Sequence, residues 1–156
     1  MTDSPNMIAR LPDPKPSPVR VLFSSTLRAA SWTIRGEQVA GCRTTWAAKH
    51  EVDDDELSTY DVLCLVKRFD PELVRRAKRR SIPIVFDVLD SWAQPDDGLR
   101  CLDRKAALEL FHGMWKPFHH DALIFPNRTM REHLGGLCVT STFIYHHHLP
   151  GLELTP

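Results

Sequence analysis

Two aspartates close an almost unbroken apolar run, Ile82-Pro-Ile-Val-Phe-Asp87-Val-Leu-Asp90-Ser91-Trp92. A carboxylate carried at the end of a buried segment can take a proton or accept a hydroxyl hydrogen bond, so Asp90 is a candidate general base. Asp87 and Ser91 join it as candidate ligand-binding groups. Polar residues follow other apolar runs in the same way: Ser24 and Ser25 after Val19–Phe23, Lys67 and Arg68 after the run ending at Val66, Asn127 and Arg128 after Phe125, and His146 to His148 after Tyr145. Such a ring suits a sugar hydroxyl or a phosphate, with His146 a second candidate base. Arg35-Gly36 lies early in an expected helix, where an arginine and free backbone donors could meet an anion. Gly36 weakens that helix by about 1 kcal/mol relative to alanine, which implies close approach of a backbone or ligand, or a tight contact of helix and sheet.

Several chemistries are excluded by what these residues do not form. No Gly-x-Gly-x-x-Gly follows the first apolar run, and neither Gly-x-x-x-x-Gly-Lys-Ser/Thr nor Gly-x-Ser-x-Gly occurs, against a dinucleotide oxidoreductase, a P-loop kinase and an α/β-hydrolase. The histidines cluster at His119-His120 and at His146-His147-His148. Neighbours on a strand point to opposite faces, so these runs do not converge on an ion, and neither metal nor cofactor is expected. Cys42, Cys64, Cys101 and Cys138 are scattered without a Cys-x-x-Cys pair, which reads as buried free thiols in a reducing, cytoplasmic setting. Lys plus Arg and Asp plus Glu are 20 each, so no global field favours nucleic acid or an anionic membrane surface. No apolar run approaches the ~20 residues of an integral membrane segment.

The elements that must position these groups follow from periodicity. The 156 residues, 42% of them hydrophobic and 26% charged, suit one soluble domain. Residues 1–18 carry prolines at 5, 12, 14, 16 and 18 and are expected to be a disordered tail, with the domain over 19–150 and a short tail over 151–156. Strands are expected at Val19–Phe23, Thr44–Lys49, Asp61–Val66, Ile82–Val88, Asp121–Phe125 and Ser141–Tyr145. Helices are expected from Ser31, as cap, to Cys42, from the cap Asp70 to Arg80, over Cys101–His119, and from Arg128 to Leu134. The second of these ends in a basic cluster, Arg75, Arg76, Lys78, Arg79 and Arg80, which could grip phosphate or acidic lipid, or simply complement the helix dipole. Alternating strands and helices imply an α/β fold, a three-layer, doubly wound, mainly parallel sheet of about six strands, Rossmann-like, in the order 3-2-1-4-5-6. That order puts the ligand crevice between the first and fourth strands, over Ser24-Ser25, Arg35-Gly36 and Asp87 to Ser91.

The segments Val-Arg-Val-Leu-Phe-Ser-Ser, Ile-Arg-Gly-Glu-Gln-Val-Ala, Ile-Val-Phe-Asp-Val-Leu-Asp, Asp-Ala-Leu-Ile-Phe-Pro-Asn-Arg and Phe-Ile-Tyr-His-His occur in an order that resembles the N-terminal, acceptor-side half of GT-B glycosyltransferases, over about residues 19 to 150. In that family two Rossmann-like domains face each other, and the second holds the nucleotide-sugar donor. The resemblance matches Arg35-Gly36 to the family's arginine-glycine at the first helix, Asp87 and Asp90 to its acidic fourth-strand end, and Pro126-Asn127 to a turn toward the domain junction. It implies a sugar-containing acceptor as ligand. With the chain stopping at Pro156, it also implies activity only with a partner chain carrying a donor domain, or no activity; the isolated chain is not expected to be an active enzyme. The alternative is a free-standing Rossmann-like module that binds a sugar phosphate, nucleotide or protein without catalysis. A third reading is a small hydrolase or isomerase using Asp90 and the histidines.

Overall fold

The computed structural model describes residues 17–89, 105, 109, 120–134 and 140–144, the side chains of 133, 134 and 143 excepted. Strands β1 (Val21–Ser24), β2 (Trp46–Lys49), β3 (Val62–Val66), β4 (Ile84–Asp87), β5 (Ala122–Phe125) and β6 (Ser141–Phe143) form one six-stranded sheet. Every pairing is parallel. All six expected strands are present, and the fold class is the α/β, Rossmann-like one that the alternation of elements implied. Of the expected tail over residues 1–18, residues 1–16 lie outside the described residues, as does the C-terminal tail. So does the Cys101–His119 helix, except for Lys105 and Glu109, both helical.

The strand order corrects the expected 3-2-1-4-5-6: it is β2-β1-β3-β4-β5-β6. Leu22 and Phe23 of β1 lie beside Leu63 and Cys64 of β3, and β4 is one strand further away. Burial gives the physical reason. In β3 four of the five residues are buried, whereas no residue of β2 is. A strand apolar on both faces must have neighbours and covering layers on both sides, which an edge position does not supply. The winding therefore reverses between β1 and β3, and the crevice expected of a doubly wound sheet lies at their carboxyl ends, not between β1 and β4.

Successive residues alternate between the sheet's two faces. Leu22, Leu63, Leu65, Ile84, Phe86, Leu123 and Phe125 point to one, packing on Leu57, Leu73, Val74 and Ala77. The last four come from helices α3 (Asp54–Leu57) and α4 (Pro71–Arg79). Phe23, Cys64 and Val66 point to the other, against Trp32 and Ala40. Those two belong to one helical segment made of α1 (Ala30–Trp32), a π-helical turn (Thr33–Glu37) and α2 (Gln38–Ala40). Phe86 is fully buried at the centre, and its removal would cost about 3–5 kcal/mol.

The helix ends show which local signals operate. At α4, Asp70 caps the first turn by accepting from Glu72 N at 2.9 Å, with Pro71 opening the helix. Ser81, at φ 57°, ends it, and Ile82 N reaches back to the Ala77 carbonyl at 3.0 Å, a left-handed closure usually given to glycine. The basic cluster of α4 is engaged by carboxylates: Arg76 and Arg80 pair with Asp54, Arg75 and Arg79 with Glu72, and Lys78 with Asp121. Ser31 does not cap the first helix. The capping position is Ala29, which offers no side-chain acceptor.

Candidate functional site

Asp87 is the last residue of β4 and Arg35 sits in the π-helical turn facing it. Arg35 Nη2 donates to Asp87 Oδ1 at 3.0 Å, and Nε lies 2.8 Å from Oδ2. Only the Nη2 contact has hydrogen-bond geometry; the buried Nε makes a close ionic contact but no hydrogen bond. Both side chains are almost wholly buried, 3% and 7% exposed. Arg35 Nη1 also donates to the carbonyl of Ile144, just after β6, at 3.3 Å. One arginine thus ties the first helix, β4 and the end of β6 together. The sequence singled out both residues and the structure brings them together, yet each spends its charge on the other.

Around this pair lies an apolar cavity of 340 Å³, lined by Val21, Val39, Val62, Val85, Ile124 and Ile144. One helix is about 10 Å wide and strands repeat every ~4.8 Å, so a helix covers roughly two strands. The described helix on this face lies over Phe23, Cys64 and Val66. Further across, Val85 and Ile124 stay partly exposed and Ile144 is 40% exposed.

Other expected site residues have structural tasks. Ser24 and Ser25 are buried at the end of β1, and Ser25 Oγ accepts from Leu27 N at 3.1 Å. Asn127 Oδ1 accepts from Met130 N at 2.8 Å, capping α5 (Arg128–Leu134). Gly36 is required by the ring of Trp32: a Cβ there would lie 2.5 Å from two ring carbons. The close approach is made by a side chain of the same helix. Asp90, Ser91 and His146 lie outside the described residues.

At the β1/β3 switch point Thr26 N donates to the Arg68 carbonyl at 3.2 Å, joining the two carboxyl-end loops. Lys67 and Leu89, which follow β3 and β4, have φ of 61° and 60°. Left-handed backbone at bulky residues stores strain of order 1–3 kcal/mol each, and it falls here at the sheet edge where doubly wound folds bind ligands. Of the two described cysteines, Cys42 is exposed and Cys64 buried, so the expectation of buried thiols holds for one of them. Burial, and then the charge of Asp87, push the Cys64 thiol well above its ordinary pKa.

A second group was not singled out from the sequence. Arg28, Ala29, Ala30, Trp32, Thr33, Glu37 and His50 line an open cavity of 610 Å³ at the carboxyl ends of β1 and β2. His50 Nδ1 lies 2.6 Å from the Ser25 carbonyl oxygen. That oxygen can only accept, so Nδ1 carries the proton and Nε2 of the neutral ring is left as an acceptor. The imidazole packs against Trp32, ring centroids 4.7 Å apart, and Trp32 Nε1 donates to Glu37 Oε1 at 3.0 Å. The rule that selected the other candidates, polar residues directly after an apolar run, also selects His50, which follows Trp46–Lys49.

Among the described residues no three His, Cys, Asp or Glu side chains are grouped to hold a metal ion, and no helix is long and apolar enough to cross a membrane. No protein-family model matches the chain, and no curated protein matches it at a significant level.

Proposed function

We propose that this chain is the acceptor-side half of a GT-B-type glycosyltransferase, a domain that holds a sugar-containing acceptor and depends on a second domain for the nucleotide-sugar donor. The observation that carries the reading is the division of labour at the carboxyl edge of an all-parallel, doubly wound sheet. There an open cavity presents Arg28, Thr33, Glu37 and His50, while Asp87, the described carboxylate at the end of β4, is neutralised by Arg35. Groups that can grip hydroxyls are available, and a second domain would supply the groups that stabilise a departing diphosphate, a contribution usually worth several kcal/mol of barrier. The partly exposed apolar face beyond the first helix fits a domain that is covered by more protein in its working form.

The test is a binding and turnover screen of the purified chain against free sugars, sugar phosphates, nucleotides and nucleotide sugars. Sugars and sugar phosphates are expected to bind, with neither capture of nucleoside diphosphates nor transfer from a nucleotide sugar. Tight binding of a nucleoside diphosphate, or sustained transfer by the chain alone, would overturn the reading. The Arg35–Asp87 pair favours one other reading, a binding module without catalysis, because it removes a charged side chain of each sign from the chemistry. Reconstitution with a donor domain separates the two: transfer appears for a glycosyltransferase half and not for a module.

A further inference from the structure

We infer that the cavity between the first helix and the end of β2 is a site for an anionic sugar, a hexose monophosphate in chemical class, with His50 Nε2 and Glu37 taking hydroxyls and Arg28 taking the anion. This rests on the acceptor-domain reading for the sugar and on the side chains for the rest. The Ser25 carbonyl on Nδ1 sets the tautomer of the His50 imidazole, and the tilted Trp32 ring packs beside it. Its Nε2 has no hydrogen-bond partner among the described residues, so it presents a lone pair of fixed character. Glu37 spends one oxygen on Trp32 Nε1, and the remaining oxygen is a second acceptor on the same wall. Neutral hydroxyls are the donors that suit two such acceptors. Arg28 is exposed, lines the same cavity and makes no ion pair among the described residues. A ligand that is all hydroxyl leaves Arg28 unused, and one that is all anion meets the Glu37 carboxylate; a sugar with one phosphate satisfies both ends.

The experiment is a titration of the isotope-labelled full chain, followed by amide chemical shifts, with glucose 6-phosphate, glucose and inorganic phosphate in parallel. Glucose 6-phosphate is expected to move the signals of residues 28–33 and His50, and to bind more tightly than either glucose or phosphate. His50→Asn keeps a donor near the Ser25 carbonyl and removes the Nε2 acceptor; it is expected to weaken binding about tenfold, as loss of a ligand hydrogen bond does. His50→Gln, which restores an acceptor near the Nε2 position, is expected to recover part of that loss. Arg28→Ala, a surface change with no folding role, is expected to reduce glucose 6-phosphate binding to the level of glucose. Equal binding of phosphate and glucose 6-phosphate would overturn the sugar assignment, as would an unchanged affinity in His50→Asn. Shifts centred on Lys67 and Arg68 and indifferent to the His50 variants would overturn this site and leave the acceptor-domain reading standing. Binding here together with capture of a nucleoside diphosphate would do the reverse.

Discussion

The two polar groupings attached to the first helix have opposite fates. Arg35 and Asp87 are deeply buried and answer each other's charge. Arg28, Thr33, Glu37 and His50 face an open cavity, and only Glu37 and His50 have a described side-chain hydrogen bond. A polar residue early in a helix or at a strand end is therefore not by itself a sign of a ligand. What separates the groupings is whether the protein has already answered the charge, because a buried charge must be answered from within whereas a cavity wall is answered by water or a guest.

The largest effect should come from breaking the closed grouping. Asp87→Ala leaves a buried guanidinium without its carboxylate and is expected to destabilise the fold by about 3–5 kcal/mol in denaturant unfolding. Replacing both partners, Arg35→Met with Asp87→Leu, should recover most of that loss; a double variant as unstable as the single would show that the charge itself is not the issue. Gly36→Ala comes next. The better helix propensity of alanine is worth about 1 kcal/mol, but the added methyl meets the buried Trp32 ring, and overpacking costs about 1–3 kcal/mol. A net loss is expected, together with a shift of the His50 signals that links the two groupings. By contrast, Arg28→Ala should change stability by no more than about 0.5 kcal/mol in the same assay. An effect as large as that of Asp87→Ala would mean the cavity side chain is structural after all.

A smaller effect concerns acid. Hydrogen bonds from Arg76 and Arg80 hold the Asp54 carboxyl below its ordinary pKa of 3.8, and those from Arg75 and Arg79 hold Glu72 below 4.5. A carboxyl whose pKa is depressed on folding stabilises the native state above its unfolded value and loses that contribution as pH falls through the folded one. Stability should therefore drop on acidification from the ordinary carboxylate range downward. Asp54→Asn should flatten that slope, and added salt should shrink it, since both carboxylates are at the surface.

Much of the fold could be read from the chain because its signals are local. Asp70-Pro71-Glu72 caps and opens α4 as those residue types must, and uninterrupted apolar runs mark β3 and β4. Strand order is not local, yet part of it was present: the run Val62-Leu-Cys-Leu-Val66 is apolar on both faces, while Trp46–Lys49 ends in a charge and stays partly exposed. Weighing those two strands against each other places β3 inside and β2 at the edge. The pairing of Arg35 with Asp87 spans 52 positions, and no spacing rule reports which of several carboxylates a distant arginine will meet. Asn127 has a local use that its position before a helix already suggests, the capping of α5. His50 is less legible because the strand before it, β2, is four residues long, nowhere fully buried and charged at its last position.

The π-helical turn couples chain length to charge. An α-helix advances about 100° around its axis per residue, and a π-turn absorbs one additional residue within the same stretch. Excising a single residue between Thr33 and Glu37 would restore ordinary winding and leave the two halves of the helix in phase, whereas the same excision from an α-helical turn would set them about 100° apart. Trp32 and Ala40, on either side of the turn, would still face the sheet, and the residues of the turn itself, Arg35 among them, would change direction. The extra residue sets the direction of the guanidinium and not that of its neighbours, so a one-residue gap at this point in a homologous chain should be accompanied by loss of the acidic residue that ends β4.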